Sequence, residues 1–317
     1  MGRNARTNKE AGKTFTTEHA EYTENMNRPR TAEDAAYADQ SLMKHVRLGA
    51  VGYLNARPLV YGLDARHDLF DLRFDVPSKC ATLLHDGGID LGMIPSIEYL
   101  RGPVPYRIVP DLGITSDGDV ASVALFSRVP LREVRTIGLD TSSRTSVGLT
   151  RVLCREAWGI DPAFESVPPD RAAKVENHDA ALLIGDPALF LDHEAAGLAK
   201  IDLGAEWTRM TGLPFVWAFW AGRLGAVDAE GIAALQAARD AGVRDSDAVA
   251  DRFCETLPKP AQPANASGSA RAAVCRRYLR DNIKYRLGDR ETAGLRRYYE
   301  LAAKHGLVED AKAIEFF

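Results

Sequence analysis

From Val46 onward, short apolar runs alternate with stripes of apolar residues at helical spacing. Val46–Val51, Ile89–Ile94, Val120–Phe126, Thr136–Asp140, Ala180–Gly185 and Pro214–Ala221 read as strands. Proline follows three of them closely, as Pro58, Pro95 and Pro187, where a first helical turn tolerates a residue without an N–H. Leu149, Val152 and Leu153, edged by Glu156, predict a helix with one buried face. Beyond residue 226 the pattern is helical only, over Ala229–Ala241, Ser246–Thr256, Arg271–Leu287 and Glu291–His305, with a proline-bearing loop near 258–268. Strands that alternate with helices predict an α/β chain with a mostly parallel sheet covered on both faces.

The first 45 residues do not share this pattern. They hold one leucine, no valine, isoleucine, tryptophan or cysteine, and seven acids against seven bases. Such a segment buries too little apolar surface to offset its ordering entropy, so residues 1–45 are expected to form a disordered tail. They have no apolar stretch like that of a secretory signal, and their acids argue against a transit peptide. The expected location is the cytoplasm, where the Asn265–Ser267 sequon has no meaning.

The remaining composition excludes classes. The whole chain of 317 residues has 40 basic and 44 acidic side chains, a net charge of −4, so it lacks the basic surplus of a nucleic-acid binder. No apolar run reaches the ~18 residues that a membrane span needs. Cys80, Cys154, Cys254 and Cys275 are scattered without a Cys-x-x-Cys pair, which predicts four free thiols. There is no Gly-x-Gly-x-x-Gly fingerprint, no phosphate-binding Gly-Lys-Ser/Thr loop, no His-Glu-x-x-His and no Gly-x-Ser-x-Gly elbow. The seven histidines are never paired at ligand spacing. No metal and no cofactor are therefore expected.

Four strand ends share one composition, small, hydroxylated or amide residues directly before a helix. They are Tyr53–Leu59, Ile94–Tyr99, Asp140–Ser146 and Ile184–Leu189. A helix start leaves N–H groups unpaired and carries about half a positive charge, so it attracts anions. In open α/β sheets such starts gather at the carboxyl ends of the strands. Several together suit a small molecule with more than one carboxylate. Five hydroxyls stand in the six residues Thr141–Ser146, and Arg144 among them is a candidate carboxylate clamp. The competing role for each serine or aspartate is to cap its own helix.

In order along the chain, Gly52–Leu59, Ile94–Tyr99, Val120–Val123, Leu139–Ser146, Ile184–Leu189 and Trp207 through Val216 resemble the chorismate dehydratase family of menaquinone biosynthesis. Gly52 stands where that family's first motif would carry serine. The resemblance implies a two-lobed fold like the type II periplasmic binding proteins, with the ligand in a cleft between lobes. The expected division is a first lobe of 46–128 and 207–317 and a second of 129–206. The implied reaction removes water from chorismate, a small dicarboxylate, to give 3-[(1-carboxyvinyl)oxy]benzoate in the futalosine route. Asn55 becomes the candidate catalytic residue. Ser96, Ser122, Ser143, Arg144, Thr145, Ser146 and Asp186 become the candidate substrate-binding residues. The base is either Asp186 or the substrate's own enolpyruvyl carboxylate. A solute-binding protein of the same fold is the rival outside enzymes. The later naphthoate-forming enzyme of the route is the second rival, and none of the motifs carries the histidine expected of it.

Overall fold

The computed structural model describes residues 45–167, 176–257 and 268–317. The expected tail and most of the proline-bearing loop, sequon included, lie outside the described residues.

The chain begins with β1 (Val46–Val51), a 3-10 segment Leu54–Val60 that contains Pro58, and β2 (Phe70–Asp75). Next come α1 (Pro77–His85), β3 (Leu91–Pro95), α2 (Glu98–Arg101), β4 (Arg107–Ile108) and β5 (Ile114–Ser116). After β6 (Val123–Ser127) and β7 (Thr136–Asp140) the chain forms α3 (Arg144–Leu153), whose last turn widens into a π segment. Then follow β8 (Ala163–Val167), β9 (Ala180–Ile184), α4 (Gly185–Leu189), β10 (Ala199–Asp202), α5 (Leu203–Thr211) and β11 (Phe215–Gly222). The C-terminal part is α6 (Ala229–Arg244), α7 (Ser246–Thr256), α8 (Gly268–Arg277) with a π segment Tyr278–Asn282, and α9 (Asp289–Lys304).

Two sheets result. The first runs β2-β1-β3-β11-β4, with β5 also on β11, and the second runs β10-β6-β9-β7-β8. They are mixed, not mostly parallel as the alternation predicts. β1 is parallel to β2 and β3, and β7 is parallel to β8 and β9. β6 is antiparallel to β9 and β10, and β11 is antiparallel to β3, β4 and β5. The reason is connectivity. β6 and β11 are the strands by which the chain passes from one sheet into the other, so neither completes a strand–helix–strand crossover within a single sheet. β6 thus belongs to the second sheet, while the expected division puts its residues in the first lobe.

The sequence pattern also passed over β2, β4, β5, β8 and β10. β2 is an edge strand that carries Asp71, Arg73 and Asp75, the charges that keep an edge from pairing further. The helix expected over 271–287 stops at Asn282, and Lys284 then bridges to Thr115 while Phe316 bridges to Ile108. The C-terminal part is therefore not helices alone.

β3 and β11 are buried along their whole length, because both of their faces are covered. Trp207 at the start of the return path packs on Phe215, and its indole donates to Pro214 O at 3.2 Å. Gly242 of α6 lets that helix sit directly on Pro58, where a Cβ would overlap the proline backbone. That contact fixes the 3-10 segment. Cys80 and Cys154 are buried free thiols, but Cys254 and Cys275 are joined as a disulfide between α7 and α8. Sequence spacing could not foresee this, since 21 residues separate the pair. Among the described residues no helix is long and apolar enough to cross a membrane.

Candidate functional site

The strand-end clusters do gather. A cavity of about 40 Å³ between the two sheets is lined by Tyr53 and Asn55 after β1, Pro95 at the end of β3, Ser143 and Ser146 at the start of α3, and Gly185 after β9. Trp217 and Ala218 of β11, with Val120 and Val123 around the crossover into β6, complete its wall. One water needs about 10–15 Å³ of such space, so the cavity as it stands has room for a few waters and not for a ring compound. No lining side chain is charged. A larger surface cavity of about 540 Å³ lies among Arg57, Tyr61, Phe74, Arg252 and Phe253, and none of the strand-end hydroxyls reaches it.

Asn55 differs from the other lining residues in one respect. Six buried side-chain nitrogen or oxygen atoms among the described residues have no hydrogen-bond partner, and Asn55 Oδ1 is the one that belongs to the cavity wall. An unmade buried hydrogen bond costs about 1–3 kcal/mol, so it marks a place where a ligand would supply what the protein does not.

The other expected residues divide. Ser143 caps α3, accepting from Ser146 N at 3.4 Å, and the two hydroxyls lie 2.9 Å apart on the cavity wall. Both are thus caps and lining at once. Thr145 and Ser96 are wholly buried and bond one another at 3.3 Å. Thr145 Oγ1 also accepts from Ile97 N at 3.1 Å, and Ser96 Oγ donates to Val216 O at 2.8 Å. These two hydroxyls stitch α2, α3 and β11 together and do not line the cavity.

Arg144 departs furthest from expectation. Its guanidinium donates to Glu98 Oε2 at 2.5 Å and to Thr82 Oγ1 at 3.3 Å, and it does not line the cavity. Glu98 is 1% exposed and needs the positive charge there.

Asp186 sits in the first turn of α4 and reaches across to the other sheet's side, where its Oδ1 accepts from Leu54 N at 3.4 Å. It caps the 3-10 segment and not its own helix. Burial pushes its carboxyl up to about 6 from an ordinary 3.8, while the Leu54 hydrogen bond and the nearby Arg57 charge pull the other way. Beside it, Gly185 has φ of +65° with the Tyr53 ring 3.3 Å from where a Cβ would be, so glycine suits both the backbone and the space.

Ser122 does not face the cavity directly. It is 1% exposed, and its Oγ lies 2.6 Å from the Tyr278 hydroxyl. Tyr278 was missed because nothing in the helical stripe around it distinguishes it from a core tyrosine. Its one local signal is the π segment it opens. Gly52, at the position where the related motif carries serine, has open space where a Cβ would be.

A family model described as menaquinone biosynthesis matches residues 46–304. The chorismate dehydratase of Thermus thermophilus is 32% identical over 199 residues, which covers 57% of this chain and 71% of the relative. A solved structure from Archaeoglobus fulgidus aligns with a TM-score of 0.66 at 17% identity, over 83% of this chain and 98% of the other. The alkanesulfonate-binding protein of Xanthomonas axonopodis pv. citri, bound to MOPS, aligns with a TM-score of 0.61 at 15% identity, over 84% and 95%. The architecture is that of the two-lobed periplasmic binding proteins, with the cavity where the two sheets face each other.

Proposed function

The chain belongs to the menaquinone biosynthesis family, and from that premise we propose that it is a chorismate dehydratase. The observation that carries this reading is the family match over 46–304, which spans every strand-end cluster of the cavity. The reaction is a hydro-lyase step. The carbon that bears the enolpyruvyl ether loses its proton, the neighbouring carbon loses its hydroxyl, and the two leave as water. Charge left on the ring spreads through the diene to the ring carboxylate, and the aromatic ring formed drives the elimination.

In this reading the start of α3, with Ser143 and Ser146, receives a substrate carboxylate, each hydrogen bond to the charged group contributing about 1.5–3 kcal/mol. The lining has no cation, so recognition rests on N–H and O–H donors. Asn55 orients the groups around the reacting carbon. The enolpyruvyl carboxylate of the substrate takes the proton, because Asp186 is engaged with Leu54 and does not line the cavity. The two lobes are the halves that carry the two sheets, and they part to admit the substrate. We place the reaction in the cytoplasm, within the futalosine route.

The test is direct. Purified protein mixed with chorismate yields an aromatic product lighter by one water, detected by mass and by the new ring absorbance. Saturable binding without product would instead identify a solute-binding protein.

A further inference from the structure

The larger cavity, about 540 Å³, shares no lining residue with the strand-end cavity. Small-molecule sites commonly span about 300–1,000 Å³, are mostly apolar and hold a few placed polar groups. The walls here come from the Leu54–Val60 segment and the turn after it, from edge strand β2 and from α7. Val60, Leu72 and Val249 make them largely apolar. Phe74 of β2 is 45% exposed, a large ring left in solvent on a strand whose other exposed residues are charged.

Two arginines line this apolar space. The Arg57 guanidinium lies 4.9 Å from the Phe74 ring centre and 5.4 Å from that of Phe253. Its Nη2 donates to Gly52 O at 3.1 Å, and its buried Nε has no partner. The Arg252 guanidinium lies 5.4 Å from the Tyr61 ring centre, and it donates to Ala248 O and to the Tyr61 hydroxyl, both at 3.3 Å. All three hydrogen bonds go to neutral oxygens, and among the described residues neither arginine forms a salt bridge. Asp64, an acid in the lining, is exposed and pairs with neither. Burial lowers the Arg57 pKa, and the Asp186 charge opposes this. A guanidinium keeps its proton regardless, so a positive charge stands on aromatic faces without an anion in contact.

That combination complements one kind of molecule, with a negative charge and an apolar ring. Inorganic phosphate would leave the apolar walls unfilled, and a neutral ring would leave the guanidinium groups without an anion.

We propose that this cavity is a second ligand site, for a small aromatic carboxylate whose charge is drawn to Arg57 and Arg252 and whose ring packs among Phe74, Phe253 and Tyr61. The site goes beyond the dehydratase reading and does not depend on it.

Titration calorimetry of the full-length protein with biphenyl-4-carboxylate tests this and gives saturable binding. Arg252→Gln, at an exposed position, weakens the binding about tenfold or more, the loss of a hydrogen bond to a charged group. Phe74→Ser, also exposed, weakens it about threefold or more by removing an aromatic contact. Ser143→Ala, on the strand-end cavity wall, leaves it within about twofold, because the two sites share no residue. Biphenyl-4-methanol, hexanoate and inorganic phosphate each bind at least about tenfold more weakly, since each lacks the charge or the ring. No saturable heat, or phosphate or hexanoate binding as tightly as the aryl carboxylate, would overturn the proposal. So would an affinity that Arg252→Gln and Phe74→Ser leave unchanged and Ser143→Ala abolishes, which would put the ligand in the strand-end cavity. A dimer in sedimentation that Phe74→Ser disperses, with no aryl carboxylate bound, would overturn it too and make this face the seat of a second copy. Turnover of chorismate enters none of these readouts, so failure of the dehydratase reading would leave them as they are.

Discussion

Two polar regions that contribute to the same cavity wall behave differently. The Thr141–Ser146 turn satisfies almost everything internally. Ser142 Oγ donates to Asp140 at 2.5 Å, Ser143 caps Ser146, Thr145 serves Ile97 and Ser96, and Arg144 neutralises Glu98. Asn55, on the cavity wall after β1, is also a small polar side chain, yet its buried Oδ1 has no partner. What separates the two regions is not residue type. It is whether the folded protein leaves a buried polar atom wanting.

The largest expected effect attacks the second region. Asn55→Ala should lower saturated turnover by about two to three orders of magnitude, the scale of losing one preorganised contact at a reacting centre, with the melting temperature unchanged. If Asn55→Ala stays active while Ser143→Ala does not, the comparison is inverted.

Asp186 is the next test, because it too is a buried acceptor taken up by the protein. Its carboxyl titrates near 6 in the fold against about 3.8 unfolded. Between those values the folded chain holds a proton that the unfolded chain releases, so rising pH through this window costs stability. Asp186→Asn keeps an acceptor for Leu54 N and cannot ionise. Its stability should match wild type below about pH 4 and exceed it above pH 6 by up to about 3 kcal/mol in denaturant titrations. Its turnover should stay within about tenfold of wild type. A dead Asp186→Asn beside a healthy Asn55→Ala would make Asp186 the base.

Thr145→Val sharpens the first region. It leaves Ile97 N and Ser96 short of a partner, so chemical denaturation should show a loss of about 1–2 kcal/mol. KM for chorismate should hardly move, because Thr145 is wholly buried away from the cavity wall. A large KM change with stability intact would return Thr145 to the ligand. The smallest effect lies outside both regions. Deleting residues 1–45 should leave turnover within about tenfold of wild type, since their composition offers little to pack.

Much of the fold was legible locally. The apolar runs at Val46–Val51, Thr136–Asp140, Ala180–Ile184 and Phe215–Gly222 became buried strands, because continuous β-rich runs have no other way to bury both faces. The strand-end polar clusters were legible too, since a turn before a helix needs small capping residues wherever it occurs. The family itself stood in six short motifs read in order.

The sequence by itself therefore determined the buried central strands, the main helices, the capping chemistry and the candidates Asn55, Ser143 and Ser146 that line the cavity. Tertiary structure decided the direction of β6 and β11, the pairing of Cys254 with Cys275, the capture of Arg144 by Glu98, and the meeting of Ser122 with Tyr278 across 156 residues. The physical reason is range. Periodicity and capping act over about four residues, whereas whether a buried donor or acceptor has a partner depends on which distant segment the packed sheets bring against it.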